Sequence, residues 1–479
     1  MSLNSQYFCN SICSTVNKCI QSLDLLLELK DPQVIYMLLR YCLGSNRLIY
    51  RLRTTHPDHI GTAAKLFDEA LLRIHTAVLV ENGPGFGDFQ FELTSLPISN
   101  GGLGIHRLKD LKLFTFLASF SSSFDLSKRM FPSISADKSA VLQPQLDEFM
   151  RRIHPSVTVD RNELLGTPQR LLAQSFFSSQ KVILREHPYL SNADANIKSA
   201  QSYILDACAS TPVSRRPVIV LSPTASASTA PVPLTSQWLS AFPNEGLGQK
   251  LSSLEFRAAI YLRLLIPFRN NQFPSRQCTA KGCTASYSND RFGYHTLSCG
   301  GKGNRRTARH DTIMDALFQL LSTTGFHPVR NAPVFCLGLN GASQRPADIL
   351  IYDHTGAPTC IDGTCCSPLS EAKANSASSS TLGLLCQTAC QQKVHKHEED
   401  CRRAGYSFLP FSCDVSGFST HTASALLDRI ASSYAARNDT PFGCALNLIR
   451  RKISLAIQRG VARQLIHWFH PRTEAWGDL

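Results

Sequence analysis

Two aspartates, Asp348 and Asp362, and one cysteine/histidine run from Cys278 to Cys299 are the residues of this 479-residue chain best spaced for chemistry. Asp348 precedes a compact apolar run, Ile349, Leu350, Ile351 and Tyr352, while Cys360 and Ile361 begin a second run that leads into Asp362. Between the runs stand Asp353, His354, Thr355, Gly356, Ala357 and Pro358, a segment rich in turn formers. The stretch from Arg345 to Cys366 therefore reads as two strands joined by a tight loop. With an odd-numbered loop centred on Thr355, antiparallel pairing sets Asp348 opposite Asp362, their Cβ atoms ~5 Å apart. An even-numbered loop shifts the register by one and sends the acids to opposite faces. Two carboxylates held that close repel unless one is protonated or a cation lies between them. Hard oxygen ligands with room for water and phosphate suit Mg²⁺. The alternative is that Asp348 caps a strand and Asp362 belongs to a surface turn, where aspartate serves local hydrogen bonding.

Cys278, Cys283, His295 and Cys299 follow one another as C-x4-C-x11-H-x3-C, with Gly282, Gly293 and Gly300 beside them. Four such ligands can hold tetrahedral Zn²⁺, and the glycines allow the tight turns of a knuckle. Coincidence in a chain with 17 cysteines is the competing reading. With every position filled, such a metal is structural. Basic residues come next: Lys302, Arg305, Arg306, Arg309 and His310. They open a helix expected over Asp311 to Thr323 and read either as a phosphate-contacting collar or as a solvated helix start. Downstream, Leu382 to Ala404 reads as a helix ended by Gly405, and it places Lys393, Lys396 and His397 on one face.

The elements that must position these groups are mixed. Residues 23–120 are mostly helical, with Val34, Leu38, Leu39 and Cys42, then Ala64, Phe67, Leu71 and Ile74, at helical spacing. A turn holding Gly101, Gly102 and Gly104 lacks the Lys-Ser/Thr pair of a phosphate loop and reads as structural. Residues 121–205 read as serine-rich loops and short helices such as Gln169 to Ser178. Thr211 to Ser236, dominated by Pro, Ser, Thr and Ala, reads as a flexible linker and the main domain boundary. Trp238 to Leu265 reads as helix, Tyr406 to Phe411 as a strand, and Ala445 to Trp468 as an amphipathic helix mixing Ile449, Ile453, Leu455 and Ile457 with Arg450, Arg451, Lys452, Arg459 and Arg463. That last helix offers either a solvated basic face or a nucleic-acid contact. The fold class is α+β.

A formal charge of +13, spread along the chain, suggests a polyanionic partner, most simply nucleic acid. The cysteines are too irregularly spaced for a disulfide framework, and no positive region followed by an apolar stretch opens the chain. Reduced thiols in a nuclear or cytosolic setting are expected. No apolar run approaches the length of a membrane span.

These pieces, in this order, resemble the C-terminal part of non-LTR retrotransposon proteins that carry a restriction-like endonuclease of the PD-(D/E)XK type. The matching residues are Cys278, Cys283, His295, Cys299, Arg309, His310, Pro346, Asp348, Asp362, Lys393 and Lys396. Trp238, Leu239, Phe256 and Arg257 resemble the segment before the knuckle. Residues 23–120 are similar to the thumb that follows a polymerase core, through Tyr50, Arg51, Leu52, Arg53, Phe67, Asp68, Gly101, Gly102, Leu103 and Gly104. The resemblance implies six regions: a helical thumb-like remnant (1–120), a serine/proline-rich linker region (121–235), a helical segment (236–277), the zinc knuckle (278–305), a small mixed-sheet nuclease domain flanked by helices (306–440) and a basic C-terminal helix (441–479). It implies Asp348 and Asp362 as Mg²⁺ ligands, Lys393 or Lys396 as the catalytic lysine, and Arg305, Arg306, Arg309 and His310 as nucleic-acid contacts. Target DNA, with element RNA, would be the partner. This chain departs from the pattern at Gly363, Thr364, Cys365 and Cys366, where a β-branched run is usual, and at Ala332, where an acid often precedes the proline.

Reverse transcriptases need paired aspartates for two metal ions, and no Asp-Asp dipeptide occurs here. The expectation is a chain without polymerase activity, a 5′-truncated copy or the downstream portion of a longer protein. Two rivals to a nuclease remain: a decayed, zinc-containing nucleic-acid-binding protein, and a structural zinc protein that binds other proteins.

Overall fold

The computed structural model describes the chain except residues 1–4, 82–84, 132–137, 161–163, 165, 210–231, 269–275, 279, 284–285, 288–289, 332–335, 338–342, 345–346, 353–357, 370–381 and 470–479. It is α+β and divides into two compact units, Met1–Ala193 and Asp194–Leu479. Among the described residues no helix is long and apolar enough to cross a membrane.

The first unit is helical. Its long helices are Ser5–Asp24, Pro57–Ile74, Leu108–Met130 and Gln169–Arg185. It extends well past residue 120, because Phe149, Phe176 and Phe177 are buried and Phe176 and Phe177 pack at an angle against Phe114 of the Leu108–Met130 helix. The described residues of 121–193 thus belong to this unit; of the expected linker region, 132–137, 161–163, 165 and 210–231 lie outside the described residues. The glycine turn is structural. The backbone N–H groups of Gly101, Gly102, Leu103 and Gly104 all donate to carbonyls of residues 94–98. A Cβ on Gly102 would lie 2.1 Å from the Leu96 carbonyl oxygen.

The second unit is built on a six-stranded sheet of order β1-β10-β9-β8-β7-β4, where β1 is Val232–Pro233, β4 Val329–Arg330, β7 Ile349–Ile351, β8 Thr359–Cys366, β9 Ser407–Asp414 and β10 Phe418–Ser419. Two small ribbons stand apart from it, β2 (Arg276–Gln277) with β3 (Ser286–Tyr287), and β5 (Cys336–Leu337) with β6 (Ser343–Gln344). β7 and β8 are antiparallel, with Ile349 opposite Ile361 and Ile351 opposite Thr359. That is the register of an odd loop centred on residue 355, whose own residues 353–357 are outside those described. β8 and β9 run parallel over their whole length, joined by a crossover that contains the helix Leu384–Arg403, here the lysine helix.

Side chains alternate across β8. Cys360 joins Cys401 of the lysine helix and Leu350 in one buried cluster, so even-numbered residues of β8 face that helix. Odd-numbered residues face the helix Arg306–Thr323, which begins five residues earlier than the apolar pattern suggested. Gly363 is the point of closest approach, where a Cβ would lie 2.5 Å from the Met314 sulfur. The glycine that looks like a weak point in a strand is what lets helix and sheet meet.

The segment expected as one helix from Trp238 to Leu265 is a single turn at Gln237–Ser240 and a helix at Ser253–Arg263, the latter opened by a capping box of Ser252 and Glu255. Trp238 is buried edge-on against Phe256. The last helix, Phe442–Phe469, is no separate basic element. Ile449, Ile453, Leu455, Ile457, Val461 and Leu465 are all buried, and a helix buried on most of its circumference is a core helix. Ser454 Oγ donates to the Leu234 carbonyl at 2.6 Å, tying this helix to the residues that follow β1.

Candidate active site and metal cluster

Asp348 lies just before β7, and the register brings it beside Asp362 on β8. Its N–H donates to the Ile361 carbonyl at 2.9 Å, and its carboxylate accepts from the Gly363 N–H at 2.7 Å. Asp362 faces the lysine helix, as an even-numbered residue must. Lys393 Nζ is 2.7 Å from both carboxylate oxygens of Asp362 and 3.2 Å from the Gly363 carbonyl. On the far side His310 Nε2 lies 3.0 Å from Asp348 Oδ2, while its Nδ1 is 3.1 Å from Asp311. The bare Gly363 backbone leaves His310 that path, since a Cβ there would be 3.1 Å from Nε2.

The electrostatics follow from this packing. Burial pushes Asp348 upward, but hydrogen bonds from His310 and the Gly363 N–H, with the charges of His310 and Lys393, outweigh it and hold the carboxyl below the usual range. Burial lifts Asp362 above that range, and the neighbouring Asp348 adds to the lift against the pull of Lys393. His310 is pulled down by burial, yet the hydrogen bond and charge of Asp348, joined by Asp311, push it up to about 9. The acid pair thus carries two counter-cations of its own.

Of the two candidate lysines, Lys393 reaches the acids, whereas Lys396, one turn on, is exposed. His397, on the same helix, is buried against Phe408. Pro346 and Ala332 lie outside the described residues. Arg309 is a correction to the expected phosphate collar. It is buried, and its guanidinium donates to the Leu297 carbonyl at 2.9 Å, to Gln464 Oε1 at 2.7 Å and to the Cys365 carbonyl at 2.8 Å. That fork fastens the knuckle, the last helix and β8 together and is not available to a phosphate. The exposed members of the basic segment are Lys302, Arg305 and Arg306. Exposed Lys281 joins them, because it bridges Lys302 through paired backbone hydrogen bonds of 3.1 and 2.9 Å.

No protein-family model matches this chain, and no curated protein does.

Cys278, Cys283, His295 and Cys299 converge, each offering one ligand atom, all within 4.8 Å of one another. Two edges of the group are 3.6 Å (Cys278 Sγ to Cys299 Sγ) and 3.7 Å (Cys283 Sγ to His295 Nε2). Metal–sulfur bonds of about 2.3 Å in a tetrahedron set sulfur–sulfur edges at about 3.8 Å, so the cluster could hold a tetrahedral ion. Burial pushes the Cys278 thiol up to about 12, with the neighbouring thiols adding, and burial holds the His295 imidazole down to about 4. These shifts favour the neutral forms of Cys278 and His295, and a bound divalent cation would turn ligand thiols into thiolates.

The frame of the cluster includes residues that ligand spacing does not reveal. Asp290 accepts from the N–H groups of Tyr294 and His295 at 2.8 and 2.9 Å. Asn304 donates to the carbonyls of Thr296 and Cys299 at 2.7 Å each. Trp468 stands edge-on to His295, and Leu465 and Phe469 press on Gly293 so closely that a Cβ there would be 2.5 Å from Leu465 Cδ2. An aspartate five residues before a ligand histidine was the one available signal; the contacts of the last helix are long-range and left none.

Proposed function

We propose that residues 194–479 form a Mg²⁺-dependent DNA endonuclease braced by a zinc knuckle, of the kind found at the C-terminal end of non-LTR retrotransposon proteins, which nicks target DNA and exposes a 3′-hydroxyl for primed reverse transcription. The observation that carries this reading is the Asp348–Asp362 pair with the Lys393 ammonium on Asp362. Mg²⁺ at such a pair supplies Lewis acidity toward a phosphate and a source of hydroxide at neutral pH. Asp348 and Asp362 would hold the ion. Lys393, 2.7 Å from Asp362, stands where it can turn to an incoming phosphate and stabilise its developing charge. His310 and the Gly363 N–H hold Asp348 in one orientation. Lys281, Lys302, Arg305 and Arg306 offer an exposed basic run for the duplex backbone, and element RNA would use the same electrostatics. The Cys₃His donor set and its near-tetrahedral edges favour Zn²⁺ in the knuckle. A nuclear site of action follows from a chromosomal target.

A second reading, a zinc-containing binder of nucleic acid that does not cut, draws on one specific observation: both acids already have cationic partners. Nicking of supercoiled plasmid by the zinc-loaded chain separates the two. With Mg²⁺, Asp362→Asn is expected to lower the nicking rate by roughly a hundredfold or more and Lys393→Ala by a similar factor, while Lys396→Ala stays near wild type. Equal rates in wild type and Asp362→Asn would sink the nuclease. Salt-dependent binding without cleavage in any divalent metal would establish the binder.

A further inference from the structure

β8 ends in adjacent cysteines, Cys365 and Cys366, which point to opposite faces of the sheet. Cys366 shares the face of Asp362 and meets the lysine helix, where its Sγ lies 3.7 Å from Sγ of Cys386. Carbonyl groups flank both sulfurs, that of Cys413 at 3.4 Å from Cys366 Sγ and that of Phe418 at 3.6 Å from Cys386 Sγ. Cys386 is fully buried, whereas Cys366 is half-buried and is the one a small solute reaches. Burial shields the Cys386 sulfur, which leaves the more exposed Cys366 as the attacking thiol of the pair. Cys386 and Lys393 are two helical turns apart, so the stripe that carries this thiol also carries the ammonium on Asp362.

We propose that Cys366 and Cys386 are a redox-convertible pair, which a hydroperoxide oxidises to a disulfide that ties the lysine helix to the strand bearing Asp362. The Cys366 thiolate attacks the peroxide, the O–O bond breaks, hydroxide leaves and Cys366 becomes a sulfenic acid. The Cys386 sulfur then displaces the hydroxyl from Cys366. An S–S bond forms, the S–O bond breaks, and the Cys386 proton departs with the hydroxide as water. Two thiols give up two electrons, and with hydrogen peroxide the oxygen leaves as two waters. The sulfurs close from 3.7 Å to a bond of about 2.05 Å, a movement within reach of side-chain rotation and a small helix shift. The pair and its chemistry stand whether or not the chain cuts DNA.

The test is peptide mapping of the reduced, zinc-loaded full chain after hydrogen peroxide treatment and alkylation. Expected is a cross-linked peptide joining Cys366 to Cys386, reversed by dithiothreitol, with amide exchange over Leu384–Arg403 slowed by about tenfold or more. In Cys386→Ser the Cys366 sulfenic acid should instead persist and be trapped by dimedone. Two outcomes overturn the proposal: both thiols remaining alkylatable in treated wild type, or the same yield of trapped sulfenic acid at Cys366 in wild type and Cys386→Ser.

Discussion

The acid pair and the Cys/His cluster answer the same problem, like groups packed close together in a partly buried place, in opposite ways. At the acids the protein supplies the counter-charge itself, Lys393 against Asp362 and His310 against Asp348. In the cluster the thiols contact one another and an imidazole, and burial keeps them neutral until a cation arrives. The first arrangement is neutralised by the protein's own side chains, and under the proposed function a divalent ion would have to take over their place. The second has no counter-charge among its four donors, and a bound cation would supply it. Under the proposed function the first would take an exchangeable ion and the second a structural one.

The largest effect should therefore come from stripping the cluster. Removing metal with a strong chelator, or replacing Cys283 by Ser, is expected to unfold residues 278–305 and lower the thermal midpoint of the second unit by many degrees, since a structural zinc contributes on the order of 10 kcal/mol to a knuckle. Trp238 and Trp468 both lie in described helical segments of this unit, so their fluorescence follows its unfolding. Withholding Mg²⁺ should leave the same midpoint within about a degree. Equal sensitivity to loss of either ion would break the comparison.

Next in size is the residue that joins the two sites. Arg309 binds the Leu297 carbonyl in the knuckle, the Cys365 carbonyl on β8 and Gln464 on the last helix, all in the buried interior. Arg309→Met strands three buried acceptors and is expected to destabilise the second unit by about 3 kcal/mol, with weaker retention of zinc as its local consequence. Arg309→Lys should recover less than half of that loss, because an ammonium cannot reproduce the fork. Urea unfolding by tryptophan fluorescence, with zinc release followed by a chromogenic chelator, measures both. An Arg309 that served phosphate binding instead would leave both measurements near wild type and weaken only DNA binding.

Much of the site was legible because its signals are local. Asp348 and Asp362 are equidistant from Thr355, and the observed pairing of Ile349 with Ile361 keeps that symmetry. Four ligands at knuckle spacing converge as their spacing required. The lysine helix runs Leu384–Arg403 with Gly405 in the left-handed region beyond it, φ 82°, as its stop signal indicated. What stayed hidden depends on partners distant in sequence. Arg309 reads as one more cation in a basic run, and Cys365 and Gln464, both far along the chain, help make it a clamp. Gly363 looks like a defect until Met314 is placed over it. Residues 121–205 read as serine-rich loops and short helices because Phe176 and Phe177 find Phe114 in a helix that ends before residue 131, and Phe149 in turn packs on Phe176. Arginines scattered through residues 442–469 masked a core helix, since several of them lie along its edge, as Arg459 and Arg463 do against Glu255.

The smallest effect sharpens the claim that the acids carry their own counter-charge. Contact with Asp348 raises His310 from an ordinary value near 6.5 to about 9. A basic group raised on folding contributes stability that is fully present below its unfolded value and disappears as pH rises through the folded one. The His310–Asp348 pair should thus help most at pH 6 and fade between about pH 7 and pH 9.5. The full shift would correspond to about 3 kcal/mol, but with both side chains about a quarter exposed, solvent screening reduces the expected contribution to about 1–2 kcal/mol. In Mg²⁺-free buffer, wild type and His310→Gln should differ by that amount in urea unfolding at pH 6 and converge at pH 9.5. Added Mg²⁺ should narrow the gap at pH 6, because the ion takes over the charge that the imidazolium supplies. A gap independent of both pH and Mg²⁺ would mean that His310 packs against the strand without neutralising Asp348, leaving Lys393 as the sole counter-cation of the pair.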